Sequence, residues 1–276
     1  MAQSLMKTRL PGTVFLLVLM AFVLAGSLQF DAGLRDIAII SGWTLAILSL
    51  LLATYNLRKK ISSVPIGRAW YWRKAHSFLG WLAVVVFFVH AGPLPPDGQL
   101  YLLLWLLYFL LLVSGITGLW LSLALPSHIA QGGERLQYER IPLLREAQSR
   151  RAEQVILAAS VGGVGQPLME FHNLHLRPYL CQFRERYRHC VNNAKIAGLL
   201  LQELKNIGRY VDSGSRQSVA ELEEIIAKKQ ILDRQYALQG LLKKWIYFHI
   251  ALNYMSWAFI VIHVFASYTF RLEYGL

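Results

Sequence analysis

The sequence predicts an all-α integral membrane helical bundle: five transmembrane helices, four of them forming a core around two buried sites, with a mostly helical cytoplasmic insertion. Three observations predict it. Only 16% of the 276 residues are charged while 55% are hydrophobic, where a soluble domain carries about 25% charged residues. The deficit is concentrated in blocks: residues 10–30, 37–57, 75–96, 98–126 and 245–270 contain no Lys, Arg, Asp or Glu, and a bilayer crossing needs roughly 20 mostly apolar residues. Finally, four histidines lie inside those blocks in two pairs of identical spacing. His76 and His90 are fourteen residues apart, and so are His249 and His263.

The expected spans run near 11–29, 35–57, 74–91, 100–125 and 246–270. The first follows Lys7 and Arg9 and ends in Val23-Leu24-Ala25-Gly26-Ser27, a pattern shared by a retained helix and by a signal peptide with a small-residue cleavage site. Either reading leaves Asp31 and Asp36 outside. Leu125-Pro126-Ser127 is expected to stop the fourth span. The chain therefore divides into membrane helices over 1–125, a cytoplasmic insertion over 126–244, and a last membrane helix with an external C-terminus over 245–276.

Within the insertion, 143–160 reads as a helix broken by Gly162-Gly163-Val164-Gly165 and Pro167. Ile196, Leu199, Leu200, Leu204, Ile207 and Val211 recur at helical spacings of three and four. Asp212-Ser213-Gly214-Ser215 reads as a turn. Past Ser218 an apolar pattern with Glu221, Glu223 and Glu224 at its start predicts one helix over 219–270, rising from the cytoplasm into the membrane. Gly240 interrupts the pattern only once.

Charge orients the spans. The segment between spans two and three carries Arg58, Lys59, Lys60, Arg68, Arg73 and Lys74 with no acid, whereas loops 30–36 and 92–99 carry Asp31, Asp36 and Asp97 against Arg35 alone. The positive-inside rule makes the basic segment cytoplasmic. The N-terminus and 126–244 then lie inside and the C-terminus outside a bacterial-type inner membrane. The net charge of +12 is largely this topology signal. The insertion contributes 18 basic and 12 acidic residues, a local +6, suited to anionic lipid or an acidic partner. The basic residues form no stripe interleaved with aromatics, which argues against nucleic acid.

The same orientation runs spans three and five in one direction, so His76 can meet His249 near the inner face and His90 can meet His263 near the outer face. Fourteen residues is just under four turns, about 21 Å of helix, which keeps each pair nearly on one face. An intramembrane ionisable residue is costly and is a functional candidate by default. Two opposed imidazoles at each of two depths predict two non-covalent bis-histidine b-type haems, His76/His249 inside and His90/His263 outside. No CxxCH attachment motif is present. Gly80, one turn after His76, and Gly118 on span four, with Gly115 nearby, leave room for a flat cofactor between helices, as Gly26, Gly33 and Gly42 do toward the outer side. Arg73, Lys74, Lys243 and Lys244 could pair with propionates at the inner site, and Arg271 at the outer.

A second group, His172, His175, Cys181, His189 and Cys190, has metal-ligand chemistry but no common ligand spacing. It is expected to be surface, and the cytoplasmic setting keeps its thiols reduced. His128 reads as a solvated interfacial residue.

His76, His90, His249 and His263 on two parallel spans resemble the di-haem membrane cytochromes b. The pattern is similar to the ferric-reductase-like bundle and, more distantly, to the N-terminal half of cytochrome b in quinol-oxidising complexes. The resemblance covers 35–125 and 245–270. It implies electron transfer across the bilayer, with quinone as a common redox partner. The family's flavin and nicotinamide domains have no counterpart here: Gly162-Gly163-Val164-Gly165 is not GxGxxG, and a Pro-Glu-Trp-Tyr quinol-site motif is absent. The donor or acceptor is therefore expected to be another chain, namely a c-type cytochrome, an iron–sulfur protein or a flavoprotein, with the chain itself an electron-transfer subunit of an oxidoreductase. Two competing readings are a haem-free membrane anchor and a histidine-relay transporter. The relay reading lacks the intramembrane Asp or Glu that usually accompanies such histidines.

Overall fold

The computed structural model describes residues 34–60, 69–130, 136–161, 165–181, 195–209 and 213–273, and among them there is no strand. In order, the elements are α1 (Leu34–Lys60), α2 (Ala69–Ala91), α3 (Gln99–Ala130), a 3₁₀ turn (Tyr138–Arg140), α4 (Ile141–Val161), α5 (Gly165–Phe171), a π turn (His172–Leu176), α6 (Arg177–Cys181), α7 (Lys195–Gly208) and α8 (Ser213–Glu273). The expected first span, 11–29, the signal-peptide alternative, Gly26 and Gly33 lie outside the described residues.

Four helices are long and apolar enough to cross a membrane, α1, α2, α3 and α8. Helices α1, α2 and α3 have 27, 23 and 32 residues, and at about 1.5 Å per residue each exceeds the roughly 30 Å hydrocarbon core. Only 11–17% of the residues in their apolar windows are buried. Ile40, Ile47, Leu50, Phe109, Trp120 and Phe265 point outward instead, a surface that suits lipid and not water. Hydroxyls within these helices turn onto their own backbone: Ser41 Oγ donates to the Ile37 carbonyl (2.6 Å), Thr44 to Ile40 (2.7 Å), Thr117 to Val113 (2.8 Å) and Ser256 to Leu252 (2.8 Å). In hydrocarbon no water would satisfy them.

The described residues form two compact units, one comprising those up to Leu119 together with those from Tyr247 onward, the other those within Trp120–Ile246. In the first, α1 packs on α2 through Leu48, Ala83 and Val86, flanked by Leu45, Leu52, Leu79 and Leu82. Phe87 stacks on Tyr108 with centroids 3.8 Å apart. Helix α2 stops at Gly92, whose φ of +76° only glycine adopts cheaply and whose N–H donates to the Phe88 carbonyl (3.1 Å). Pro93 follows and cannot continue the helix.

The second unit has its own core. Ala152, Val155 and Ile156 of α4, Leu168 and Phe171 of α5, Leu176 and Leu180, Leu200 and Leu204 of α7, and Leu222, Ile225 and Ile226 of α8 are all buried together. Each such Leu or Ile stabilises by about 1.5–3 kcal/mol relative to exposure. Near the 3₁₀ turn, Tyr138 stacks on Tyr236 at 4.5 Å, and Lys243 Nζ pairs with Glu139 (2.5 Å). Burial pushes the Tyr179 phenol above its ordinary pKa, which keeps it neutral where its ring faces the Lys229 ammonium at 4.1 Å.

Three local expectations are corrected. Pro126 does not end α3, which runs on to Ala130. A proline removes one N–H and crowds one carbonyl, and here Leu121 and Leu125 hold the helix by packing on Leu238 with Ala124, Leu242 and Trp245 around them. Ser213–Ser215 open α8 instead of forming a turn. Helix α8 passes through Gly240 as expected, and a Cβ there would meet the Tyr138 ring, at 3.5 Å from Oη and 3.6 Å from Cε2. In α7 the buried line is Ala197, Leu200 and Leu204, while Ile196 and Leu199 face outward.

Candidate cofactor site

All four singled-out histidines belong to the first unit, on α2 and α8. Side-chain contacts set the direction of each helix. Ser41 meets His90 and Tyr55 meets His76, so α1 runs against α2. Tyr101 meets His263 and Ser114 meets His249, so α3 runs against α8. Phe87 meets Tyr108 while His90 lies at the level of His263 and Tyr101, so α2 runs against α3. Helices α2 and α8 are therefore parallel. Fourteen residues back from His90 and His263, about 21 Å along each axis, stand His76 and His249.

The His90 and His263 rings stand edge-on to one another, with centroids 6.2 Å apart and planes at 79°. Imidazole–metal bonds are about 2 Å, and the ring centre lies about 1 Å beyond the nitrogen, so two imidazoles on one metal stand roughly 6 Å apart. The separation of the pair is thus that of two imidazoles sharing one metal.

His90 Nδ1 lies 3.0 Å from the Ala38 carbonyl oxygen and 3.2 Å from Ser41 Oγ. A carbonyl only accepts, so Nδ1 carries the proton and Nε2 keeps its lone pair for a metal. Gly42 adjoins the same ring: a Cβ there would stand 2.8 Å from His90 Cε1. His249 Nδ1 lies 3.1 Å from Ser114 Oγ, and a Cβ on Gly115 would come 4.0 Å from His249 Cε1. His76 lies against Tyr55 with centroids 4.9 Å apart. His263 Nδ1 is buried without a hydrogen-bond partner among the described residues and packs edge-on to Tyr101 at 5.4 Å.

The remaining expected site residues are distributed as follows. A Cβ on Gly80 would meet nothing within 4 Å, so open space lies one turn from His76. Gly118 is buried on α3. Arg73 is exposed, and Lys74 Nζ rests over Trp70 (5.2 Å) and Phe78 (5.6 Å), an arrangement of cation on aromatics that suits the membrane interface. Lys243 and Lys244 belong to the second unit, where Glu139 engages Lys243. The side chains of His128 and Arg271 lie outside the described residues.

The second histidine group stays apart. His172 is buried with Nδ1 3.3 Å from Asn173 Oδ1, His175 Nε2 reaches Glu203 (3.5 Å), and Cys181 is exposed. His189 and Cys190 lie outside the described residues. Among the described residues no three or more His, Cys, Asp or Glu side chains group to hold a metal ion.

Ser41, Ser114, Ala38, Tyr55 and Tyr101 are absent from the sequence-derived site. The available signal was the Ser-Gly dipeptide, which recurs in two charge-free spans, at 41–42 and 114–115. Comparison with protein-family models, with curated proteins and with solved structures finds no match to this chain.

Proposed function

We propose that this chain is a b-type di-haem cytochrome, an electron-transfer subunit that relays electrons across a membrane between a quinone pool or external carrier and a partner redox chain. The observation that carries the reading is the His90–His263 pair, two imidazoles 6.2 Å apart in an apolar bundle with the His90 proton held on Nδ1. His76 and His249, one matched step along the same parallel helices, are proposed as the second ligand pair. Bound haem iron supplies the one-electron chemistry.

The protein's own contribution is ligation, orientation and exclusion of water. The parallel helices hold the two ligand levels about 21 Å apart, which divides a membrane-thick transfer into shorter steps. Arg73 and Lys74 are the proposed propionate partners on the inner side. Partner chains of the c-type cytochrome, iron–sulfur or flavoprotein kind, and anionic lipid, are proposed for the basic face of 126–244.

The test is the reduced-minus-oxidised optical spectrum of the purified protein. Two b-type centres are expected, with one lost in His90→Ala or His263→Ala and the other in His76→Ala or His249→Ala. A purified protein without b-type bands, or bands indifferent to all four substitutions, would overturn the reading.

A further inference from the structure

Two histidines on two different helices are seated by the same dipeptide on a third and a fourth. Ser41-Gly42 of α1 adjoins His90 of α2; Ser114-Gly115 of α3 adjoins His249 of α8. Both serines are buried, at 7% and 5% exposure. We propose that Ser41-Gly42 and Ser114-Gly115 are positioning seats for the His90 and His249 imidazoles, with the glycine decisive at the first and the hydroxyl decisive at the second. As a statement about haem ligands this rests on the cytochrome reading. As a statement about imidazole orientation it stands on the contacts alone.

The division of labour follows from the distances. At His90 the Ala38 carbonyl already accepts from Nδ1 at 3.0 Å, and Ser41 directs its own hydrogen to the Ile37 carbonyl at 2.6 Å. Removing the hydroxyl leaves the proton on Nδ1. A methyl at Gly42, however, would overlap the ring at 2.8 Å from Cε1, inside van der Waals contact, so the imidazole must move. At His249 the order reverses. A methyl at Gly115 makes an ordinary 4.0 Å contact, whereas the Ser114 hydroxyl at 3.1 Å hydrogen-bonds Nδ1, accepting or donating according to the tautomer. A hydrogen bond from the far ring nitrogen raises ligand basicity and stabilises the oxidised metal, and loss of such a partner typically weakens metal affinity about 10–100-fold.

The full-length protein in detergent tests this with five variants. Ser114→Ala is expected to raise the midpoint potential of one centre and loosen its haem about tenfold or more, with Ser114→Thr restoring both. Gly42→Ala is expected to lose one haem per chain. Ser41→Ala and Gly115→Ala, at the lesser member of each seat, are expected to perturb haem content and potentials less than Gly42→Ala and Ser114→Ala do. Nitrogen NMR of histidine in the haem-free protein reads the seats independently: the same His249 tautomer balance in wild type and Ser114→Thr, and a changed balance in Ser114→Ala. A folded Ser114→Ala with unchanged potential and unchanged tautomer overturns the proposal, as does a Gly42→Ala that keeps both haems. A wild type lacking b-type bands but showing the tautomer pattern overturns the cytochrome reading and supports the seats.

Discussion

Lys229 and Asp233 are one turn apart on α8 and almost fully buried, at 2% and 0% exposure. Their side chains are ion-paired, and Arg145 Nε of α4 joins Asp233 from the other side at 2.9 Å. The ammonium also lies over the Tyr179 ring. One carboxylate thus serves two cations, drawing α4 and α8 together. Desolvating three charges consumes most of the Coulombic gain, so the cluster adds little net stability while being costly to break unevenly. Asp233→Ala removes the carboxylate the two cations share and is expected to cost about 3–5 kcal/mol. Lys229→Met keeps the Arg145–Asp233 pair and fills the volume with an apolar stem, so the loss should be a small fraction of that. Chemical denaturation of the full chain, followed by proteolytic susceptibility of 120–246, compares the two; equal losses would show that the cluster is held by its cations and not by the shared carboxylate.

At the level of elements, periodicity locates a helix more securely than it assigns the helix's buried face. The stripe Ile196, Leu199, Leu200, Leu204, Ile207 spans more than one face, and composition offers no reason to prefer Leu200 over Leu199. The choice is made by α4, α5 and α8, which cover Leu200 and Leu204 and leave Leu199 66% exposed. Leu204→Ala is accordingly expected to cost about 2–5 kcal/mol through lost transfer energy and a residual cavity, whereas Leu199→Ala should stay within about 0.5 kcal/mol; thermal unfolding of both variants decides, and a reversal would place the packed face of α7 on the other side. The same principle explains Pro126 and Gly240. Both are helix breakers by propensity, and both sit inside long helices because propensity costs of about 1–3 kcal/mol are outweighed by packing that no local rule contains. The charge-free blocks were the legible part: α1, α2, α3 and the membrane portion of α8 fall where 35–57, 74–91, 100–125 and 246–270 were expected, with helix ends extending into the flanking polar turns. The π turn at His172–Leu176 carries no sequence signature at all.

For the molecule as a whole, a repeated spacing marks candidate ligands within a helix but is silent about neighbours. His76, His90, His249 and His263 stand out because an ionisable group inside an apolar block has few other uses. Ser41, Gly42, Ser114 and Gly115 do not, because a serine and a glycine are ordinary in such blocks and acquire meaning only when α1 and α3 are laid beside α2 and α8. Parallel α2 and α8 follow in the sequence from charge alone and in the fold from side-chain contacts, two independent routes to one arrangement. What charge adds is a direction in the membrane, and that direction is open to measurement. Six cations and no acid lie between the charge-free blocks 37–57 and 75–96, while Asp97 lies between α2 and α3; an uncompensated Lys or Arg cluster holds its segment on the cytoplasmic side. In a background with Cys181 and Cys190 replaced by Ser, Asp97→Cys should react with a membrane-impermeant maleimide in intact cells. Glu146→Cys on α4, exposed within the second unit, should react only after permeabilisation. Inverted vesicles should exchange the two patterns. If Asp97→Cys were shielded in intact cells and Glu146→Cys labelled, α2 and α8 would still be parallel and the histidine levels still matched, but the His90–His263 level would face the cytoplasm and the proposed electron relay would have its ends exchanged.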